Sequence, residues 1–268
     1  MTSLLCGNLS GCYRLKTKNN LIMKQIQWML FAIAITLISS SCFINVNDED
    51  GFFGNCIDGS GPIVTRELVV APFTGVEMPI SADVFLKQGP EQEVIVEGKD
   101  NIIDEIELDV QNGIWKIEFN HCVRDIDQLR VFITMPDLTS LRVSGSGDVV
   151  GENTFVIQDL EIDIPGSGNV DLSLDADDLD IDIPGSGRLT LEGLADETKY
   201  RISGSGDVHA FNLECRAADI SIPGSGDLEV FVTEFLKVRI SGSGDVFYRG
   251  DPALDISITG SGDVIDAN

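Results

Sequence analysis

A tripeptide, Gly-Ser-Gly, returns at near-constant intervals through the second half of the chain. Successive copies lie 21, 19, 19, 20, 18 and 18 residues apart, beginning at Gly145, Gly166, Gly185, Gly204, Gly224, Gly242 and Gly260. A unit of this length cannot bury an apolar face by itself, so such units stack into one continuous core. The repeat therefore predicts a solenoid.

Apolar and polar residues alternate on both sides of each copy. Leu160, Ile162 and Ile164 precede Gly166, and the alternation resumes from Val170 onward. A period of two is that of a β-strand with one buried face. Each repeat is therefore predicted to be strand, glycine-rich corner, strand and loop, wound into an all-β parallel β-helix. Glycine is expected at the corner because it adopts positive φ without steric cost.

The outward-facing residues support coils that stack in register. Equivalent positions on successive coils lie about 4.8 Å apart. The position five before each Gly-Ser-Gly brings cations next to acids on several coils; its residues are Ser140, Glu161, Asp180, Lys199, Asp219, Lys237 and Asp255. Opposite charges facing each other across strands stabilise a sheet by a few tenths to about 1 kcal/mol. This column predicts ion pairs between coils.

Four acids break the alternation and are the candidate Ca²⁺ ligands. Glu161 and Asp163 are expected beside Asp180 and Asp182, and a cation coordinated by several carboxylates would relieve their repulsion. The alternative is a solvated acidic face, and we predict a chain without metal or cofactor. A second acidic column follows the corners, where Asp caps turns through backbone N–H groups; its members are Asp207, Asp227, Asp245 and Asp263.

Residues 1–41 are predicted to be a targeting segment. Lys24 and an apolar stretch over residues 28–38 lead into three serines, which is the order of charged, apolar and small residues in a secretory signal. Met23 is an alternative start, and residues 1–22 would then be a mis-called extension.

Cys42 follows the serines directly and is the predicted lipidation site. This arrangement resembles a bacterial lipobox, although Ser39 stands where that motif has leucine. The alternative is an uncleaved transmembrane anchor, but the apolar run is short for a span of about 20 residues. Residues 42–61 would then be the lipidated cysteine and a polar tether. Acids at 48–50 resemble a surface-export signal of lipoproteins, or are simply part of that tether.

The rest of the chain divides at residue 140. Residues 62–140 carry strand patterns without the repeat and are predicted to include an irregular N-terminal cap, since a terminal coil would otherwise expose its core. Residues 141–268 form the repeat β-helix. Outside the cell, where disulfides persist, the favoured pair is Cys56 with Cys122, although spacing alone does not fix the connectivity.

The N-terminal part also resembles a known family. The segments at 72–77, 82–89 and 94–98, together with Val143-Ser144-Gly145-Ser146-Gly147-Asp148-Val149 and its later copies, are similar to the head GIN domain putative auto-transporter adhesins. The resemblance covers about residues 56–266. It implies a single-stranded, right-handed parallel β-helix on lipoproteins typical of Bacteroidetes, for which the spacing of the repeat gives coils of 18–21 residues. It assigns no catalytic or binding residue.

The predicted function is an exported, lipid-anchored, non-catalytic binding module, a putative cell-surface adhesin. A net charge of −26 excludes wrapping of nucleic acid, because phosphate binding needs Lys and Arg. Partners would be glycans or extracellular or envelope proteins, with the membrane reached only through the lipid. The expected location is the outer membrane, at the cell surface or the periplasmic face.

Two alternatives to this function remain. One is a structural envelope lipoprotein with a protein partner, for which an aromatic patch near the C-terminus is a candidate contact surface; its members would be Phe211, Phe231, Phe235, Phe247 and Tyr248. The other is a polysaccharide-acting enzyme, which would need a specific pair of carboxylates. No pair stands out among so many acids.

Overall fold

The computed structural model describes residues 56–124, 126 and 128–268. The predicted targeting segment, Cys42 and most of the predicted tether lie outside these residues. Over the described part of the chain, no helix has the length and apolar character needed to cross a membrane.

Short strands and one helical turn make up the first half of the described chain. They are β1 (Ile57–Asp58), β2 (Ile63–Glu67), β3 (Gly75–Met78), β4 (Asp83–Gln88), β5 (Glu93–Lys99), α1 (Asp100–Ile103), β6 (Val110–Gln111), β7 (Ile114–Lys116), β8 (Val123–Arg124) and β9 (Arg130–Met135).

Longer strands dominate the second half. They are β10 (Ser140–Val143), β11 (Val149–Gly151), β12 (Phe155–Asp163), β13 (Asn169–Ile183), β14 (Arg188–Ile202), β15 (Asp207–Ile222), β16 (Leu228–Ile240), β17 (Val246–Arg249), β18 (Ala253–Ile258) and β19 (Val264–Asp266). The many β-branched residues in these segments suit a pleated, half-buried surface.

Each coil stacks on the next in parallel register. Leu160 lies beside Leu179, and Leu179 lies beside Thr198. Every pairing from β10 through β19 is parallel, which confirms the predicted β-solenoid. Its right-handed winding stays a prediction.

Two bends divide the coil that contains β13 into two walls. One bend is the Gly-Ser-Gly corner. At the other, the ladder between β13 and β14 skips Asp177, so that Ala176 pairs with Ala195 and the next pair is Asp178 with Glu197. Two exposed residues stand side by side there, Asp177 and Asp178, and the alternation then resumes. Inward residues of both walls therefore fill one core.

The corner glycines are required for a reason other than the one expected from sequence. None of the Gly-Ser-Gly glycines has positive φ; among the described residues, the positive-φ glycines are Gly61, Gly113, Gly193 and Gly250. A Cβ on Gly204 would instead lie 1.9 Å from the carbonyl oxygen of Gly185 on the preceding coil. The corners stack backbone on backbone, and this leaves no room for a side chain.

The first coils do not follow chain order. The coil of β3 and β4 lies between that of β7 and β9 and that of β10 and β11. The sheet is thus continuous across residue 140. Antiparallel strands cover the N-terminal end, since β5 pairs with β9, β2 pairs with β5 and β6 pairs with β7. A disulfide joins Cys56 to Cys122, beside the pairing of β1 with β8.

Candidate binding surface

Ion pairs between coils line the wall that precedes each corner. The Nζ atom of Lys199 lies 2.9 Å from a carboxylate oxygen of Asp180. Lys237 lies 3.2 Å and Arg239 3.0 Å from the carboxylate of Asp219. The predicted charge column is therefore confirmed on these coils. Each such exposed pair contributes about 0–1 kcal/mol, so the column fixes register more than it stabilises the fold.

The four candidate Ca²⁺ ligands lie together in pairs. Glu161 is beside Asp180, and Asp163 is beside Asp182. Two of them already have cationic partners, because Arg142 pairs with Asp163 and Lys199 with Asp180. In the described residues, no group of three or more His, Cys, Asp or Glu side chains is arranged to hold a metal ion. On this wall, carboxylates of like charge therefore lie beside each other, and Arg142 and Lys199 flank them.

The second acidic column has a structural role. The backbone N–H of Asp227 donates to Oδ1 of Asp207 at 3.1 Å. Asp245 donates to Asp227, and Asp263 to Asp245, both at 2.8 Å. The first three carboxylates of the column thus each accept a hydrogen bond from the following coil, where the sequence had suggested capping within its own turn. A charge-assisted bond of this kind is worth about 1.5–3 kcal/mol, which offsets repulsion along the column.

A groove of about 800 Å³ crosses the same wall at the second bend. Its two rims are stacked columns of outward residues. One rim is Asp159, Asp178, Glu197, Ala217 and Phe235, and the other is Glu161, Asp180, Lys199, Asp219 and Lys237. The groove therefore passes from an acidic end to an end with apolar and basic residues.

The charges of the groove are neutralised unequally. Arg216 lies 2.6 Å from Asp196 and 2.6 Å from Glu197, which neutralises the middle of the groove. No ion pair within the described residues involves Asp159, Glu161 or Asp178. Three exposed carboxylates at the acidic end are thus free to accept hydrogen bonds or to meet a cationic group.

The pKa values of Asp178 and Asp196 show the same difference between the acidic end and the neutralised middle of the groove. The pKa of Asp178 is raised, first by partial desolvation and then by the nearby carboxylates of Glu197 and Asp159. The pKa of Asp196 is lowered, chiefly because Arg216 donates a hydrogen bond to it. A ligand group that donates hydrogen bonds or carries positive charge would stabilise the ionised form of Asp178 against the nearby carboxylates.

The aromatic residues near the C-terminus do not form one exposed patch. Phe235 is 43% exposed and lies at the groove. Phe211, Phe231, Phe247 and Tyr248 are half-buried. The guanidinium of Arg249 stands 4.0 Å above the Phe211 ring and covers part of it. The proposed aromatic contact surface is therefore reduced to Phe235.

Among the described residues, one cysteine is a buried free thiol. Cys215 is 1% exposed, and desolvation raises its pKa to about 11. The Thr198 hydroxyl donates to its sulfur at 3.6 Å. A thiol that is protonated and enclosed in this way is not a nucleophile at neutral pH.

The stacked parallel coils and the corner glycines define a β-solenoid. The chain belongs to the family described as putative auto-transporter adhesin, head GIN domain, which it matches over residues 72–252. No curated protein matches the chain.

Solved structures from Bacteroidetes have the same fold. A putative adhesin from Bacteroides fragilis NCTC 9343 has a TM-score of 0.74 and 28% identity, covering 78% of this chain and 98% of that one. A putative lipid binding protein from Parabacteroides distasonis ATCC 8503 has a TM-score of 0.66 and 25% identity, covering 79% and 100%. An adhesin-type family indicates a protein of the cell surface or envelope.

Sequence reasoning missed the groove and the role of Arg216. The acids of the groove rims were visible as columns, but the groove itself lies between two such columns just after the second bend. The repeat marks the corner with Gly-Ser-Gly, whereas the second bend is marked only by two adjacent exposed residues such as Asp177 and Asp178. That signal was present and weak.

Proposed function

We propose that the protein is an exported, lipid-anchored and non-catalytic binding module, an adhesin that captures its ligand on the grooved wall. The observation that carries this proposal is the acidic end of the groove. Asp159, Glu161 and Asp178 are exposed there and form no ion pair with another described residue, whereas most other charges of the wall face opposite charges on the next coil.

The ligand class that suits this surface is a glycan. Sugar hydroxyl groups donate hydrogen bonds to carboxylates, and an apolar sugar face packs against an aromatic ring such as Phe235. A groove that crosses several coils suits an extended chain better than a small enclosed ligand. An extracellular or envelope protein with a basic segment is the competing ligand, and nucleic acid is disfavoured by the charge of the chain.

Two features support binding without catalysis. Several carboxylates line the groove at similar spacings, so no single pair is set apart as acid and base. The one buried thiol, Cys215, lies in the core and away from the solvent. The family description likewise names adhesion.

The binding test uses the protein on arrays of glycans and matrix proteins, with and without a Ca²⁺ chelator. A variant carrying Asp159→Asn and Asp178→Asn removes two charges from the groove. The matched control, Asp171→Asn with Glu152→Gln, removes two exposed charges outside the groove. We expect the groove variant to lose most of the binding and the control to keep it.

Binding that survives the groove variant, or no binding to any member of the arrays, would contradict the proposal. Loss of binding in chelator, with higher thermal stability in Ca²⁺, would restore the acids at 161, 163, 180 and 182 as metal ligands.

Membrane attachment through Cys42 has a separate test. Cells fed a labelled fatty acid should label the protein, and Cys42→Ser should abolish the label and release the protein from the membrane fraction. A membrane-impermeant biotin reagent on intact cells would separate surface display from the periplasmic face. A protein that stays in the membrane without the label would support the uncleaved anchor instead.

A further inference from the structure

The two ends of the solenoid are built differently. Antiparallel strands extend the sheet beyond the first coil, where β5 and β2 continue from β9 and β6 continues from β7. At the other end, β18 pairs only with β16 and β19 only with β17 among the described residues. The last coil therefore presents an open strand edge.

The last coil also has the inward side chains of an interior coil. Leu254, Ile256 and Ile258 are 45%, 40% and 41% exposed. Their partners one coil earlier are fully or almost fully buried, namely Leu236, Val238 and Ile240. These three apolar side chains are exposed because no described residue stacks on them. An apolar, unpaired edge of this kind favours pairing with another strand.

The free backbone groups of β18 can be assigned to specific residues. Thr259 donates its N–H to the carbonyl of Ile240 on the preceding coil. Because successive residues of a strand direct their backbone groups to opposite edges, Asp255 and Ser257 face the preceding coil as Thr259 does. Leu254, Ile256 and Ile258 therefore direct their N–H and C=O groups to the open edge.

We propose that a second copy of this chain covers the open edge, with β18 pairing antiparallel to β18 of the partner around a two-fold axis at Ile256. In this register Ile256 faces its own copy, Leu254 faces Ile258, and Asp255 faces Ser257. Each of the three apolar residues then faces an apolar residue of the partner copy, and the backbone N–H and C=O groups of all three form hydrogen bonds between the two strands.

The charge pattern of the strand favours this register over its neighbours. Moving the axis to Asp255 places two like charges opposite each other, which destabilises a strand pair. Moving it to Ser257 leaves Leu254 without an apolar partner. The strand is therefore most complementary to itself about Ile256.

A two-fold contact between identical ends makes the assembly a closed dimer. A second copy cannot stack head-to-tail on the first coil itself, because β5 and β6 already pair with its strands, although among the described residues β2 pairs only with β5 and keeps one free edge. An isologous contact between the C-terminal ends closes after two copies. Each copy has a net charge of −26, so salt should strengthen the dimer by screening the repulsion between copies.

The first test is a disulfide across the axis in the full chain. Asp255 and Ser257 of the partner form a pair without backbone hydrogen bonds, whose Cα atoms lie about 4.5 Å apart in antiparallel sheets, a distance that suits a disulfide. The double variant Asp255→Cys with Ser257→Cys should give a band at twice 29.0 kDa on a non-reducing gel. The single variants and the parent chain should not. Absence of the band in the double variant would overturn the proposal.

The second test asks whether the edge itself holds the dimer together. Light scattering of the full chain in non-ionic detergent should give the mass of two chains, and Ile256→Lys should give one. Val156→Lys is the matched control, since Val156 is 64% exposed on β12, remote from the open edge, and it should stay dimeric. A parent chain that is monomeric at all concentrations, a dimer that survives Ile256→Lys, or an edge occupied by an unrelated chain would each refute the two-fold contact.

Discussion

Replacing one corner glycine by alanine tests the backbone-on-backbone packing that sets the whole solenoid. In Gly204→Ala the new Cβ would lie 1.9 Å from the carbonyl oxygen of Gly185, where ordinary contact begins at 3.4 Å. The two coils must then move apart by about 1.5 Å, the difference between these distances. Neither atom belongs to a flexible side chain, so the backbone itself has to shift.

The cost follows from the hydrogen bonds at that corner. Ser205 donates to Gly185 at 3.0 Å, and Gly204 donates to Ile183 at 3.2 Å. A shift of this size breaks both bonds, each worth about 0.5–1.5 kcal/mol net, and overpacking adds about 1–3 kcal/mol. A shift of the coils breaks the hydrogen bonds but relieves the steric overlap, so the two costs do not add in full. We therefore expect the free energy of unfolding to fall by about 2–4 kcal/mol.

Urea unfolding followed by far-ultraviolet circular dichroism measures this change. The matched control is Gly151→Ala, which also has no positive φ and meets the terminal methyl carbon of Leu172 at 3.1 Å. A side chain can move aside, so this substitution should cost less than about 1 kcal/mol. Equal stability of the two variants would refute the steric account of the corners.

Three further predictions concern single contacts. Replacing Cys56 and Cys122 by serine opens a loop with a sequence separation of 66, and should lower the free energy of unfolding by about 4 kcal/mol on the chain-entropy model, measured by urea denaturation. Asp182→Asn should raise it by about 0.5–1 kcal/mol, because the amide can donate to the buried, unpaired Oδ1 of Asp163 and removes a like charge; a loss of stability would contradict this. Cys215, with its pKa raised to about 11, should resist a maleimide reagent at pH 8 and react only when urea unfolds the protein; fast labelling of the native protein would show that the thiol is accessible.

The repeat made the fold predictable from the sequence. Strand alternation around Gly166 and its counterparts gave the inward and outward faces, and the charges at Asp180 and Lys199 gave the register. Each of these patterns is local and recurs in every stacked coil. A wrong assignment of faces or register in one coil would therefore disagree with the pattern of the adjacent coils. The family resemblance rested on the N-terminal segments at 72–98 and on the Gly-Ser-Gly motif with its copies, and it was confirmed.

The candidate site was less predictable. Sequence order could not show that β3 and β4 enter between two later coils, because that arrangement depends on how antiparallel strands fold back over the N-terminal end. Nor could it show that Arg216 neutralises Asp196 and Glu197 while Asp178 forms no ion pair with any described residue. Such pairings depend on which side chains a bend brings together.

By itself, the sequence determined that the chain is a stack of parallel coils with one core, because period-two alternation and a corner repeat admit few other ways to bury the apolar residues. The tertiary structure decided what each repeated residue does. The corner glycines prevent collision with the coil below, where sequence suggested positive φ, and the Asp column binds the amides of the next coil. The hydrogen bonds of the Asp column join residues 18 to 20 positions apart, and the Cβ of an alanine at 204 would meet Gly185, 19 positions earlier. Only the stacked backbone brings such residues together.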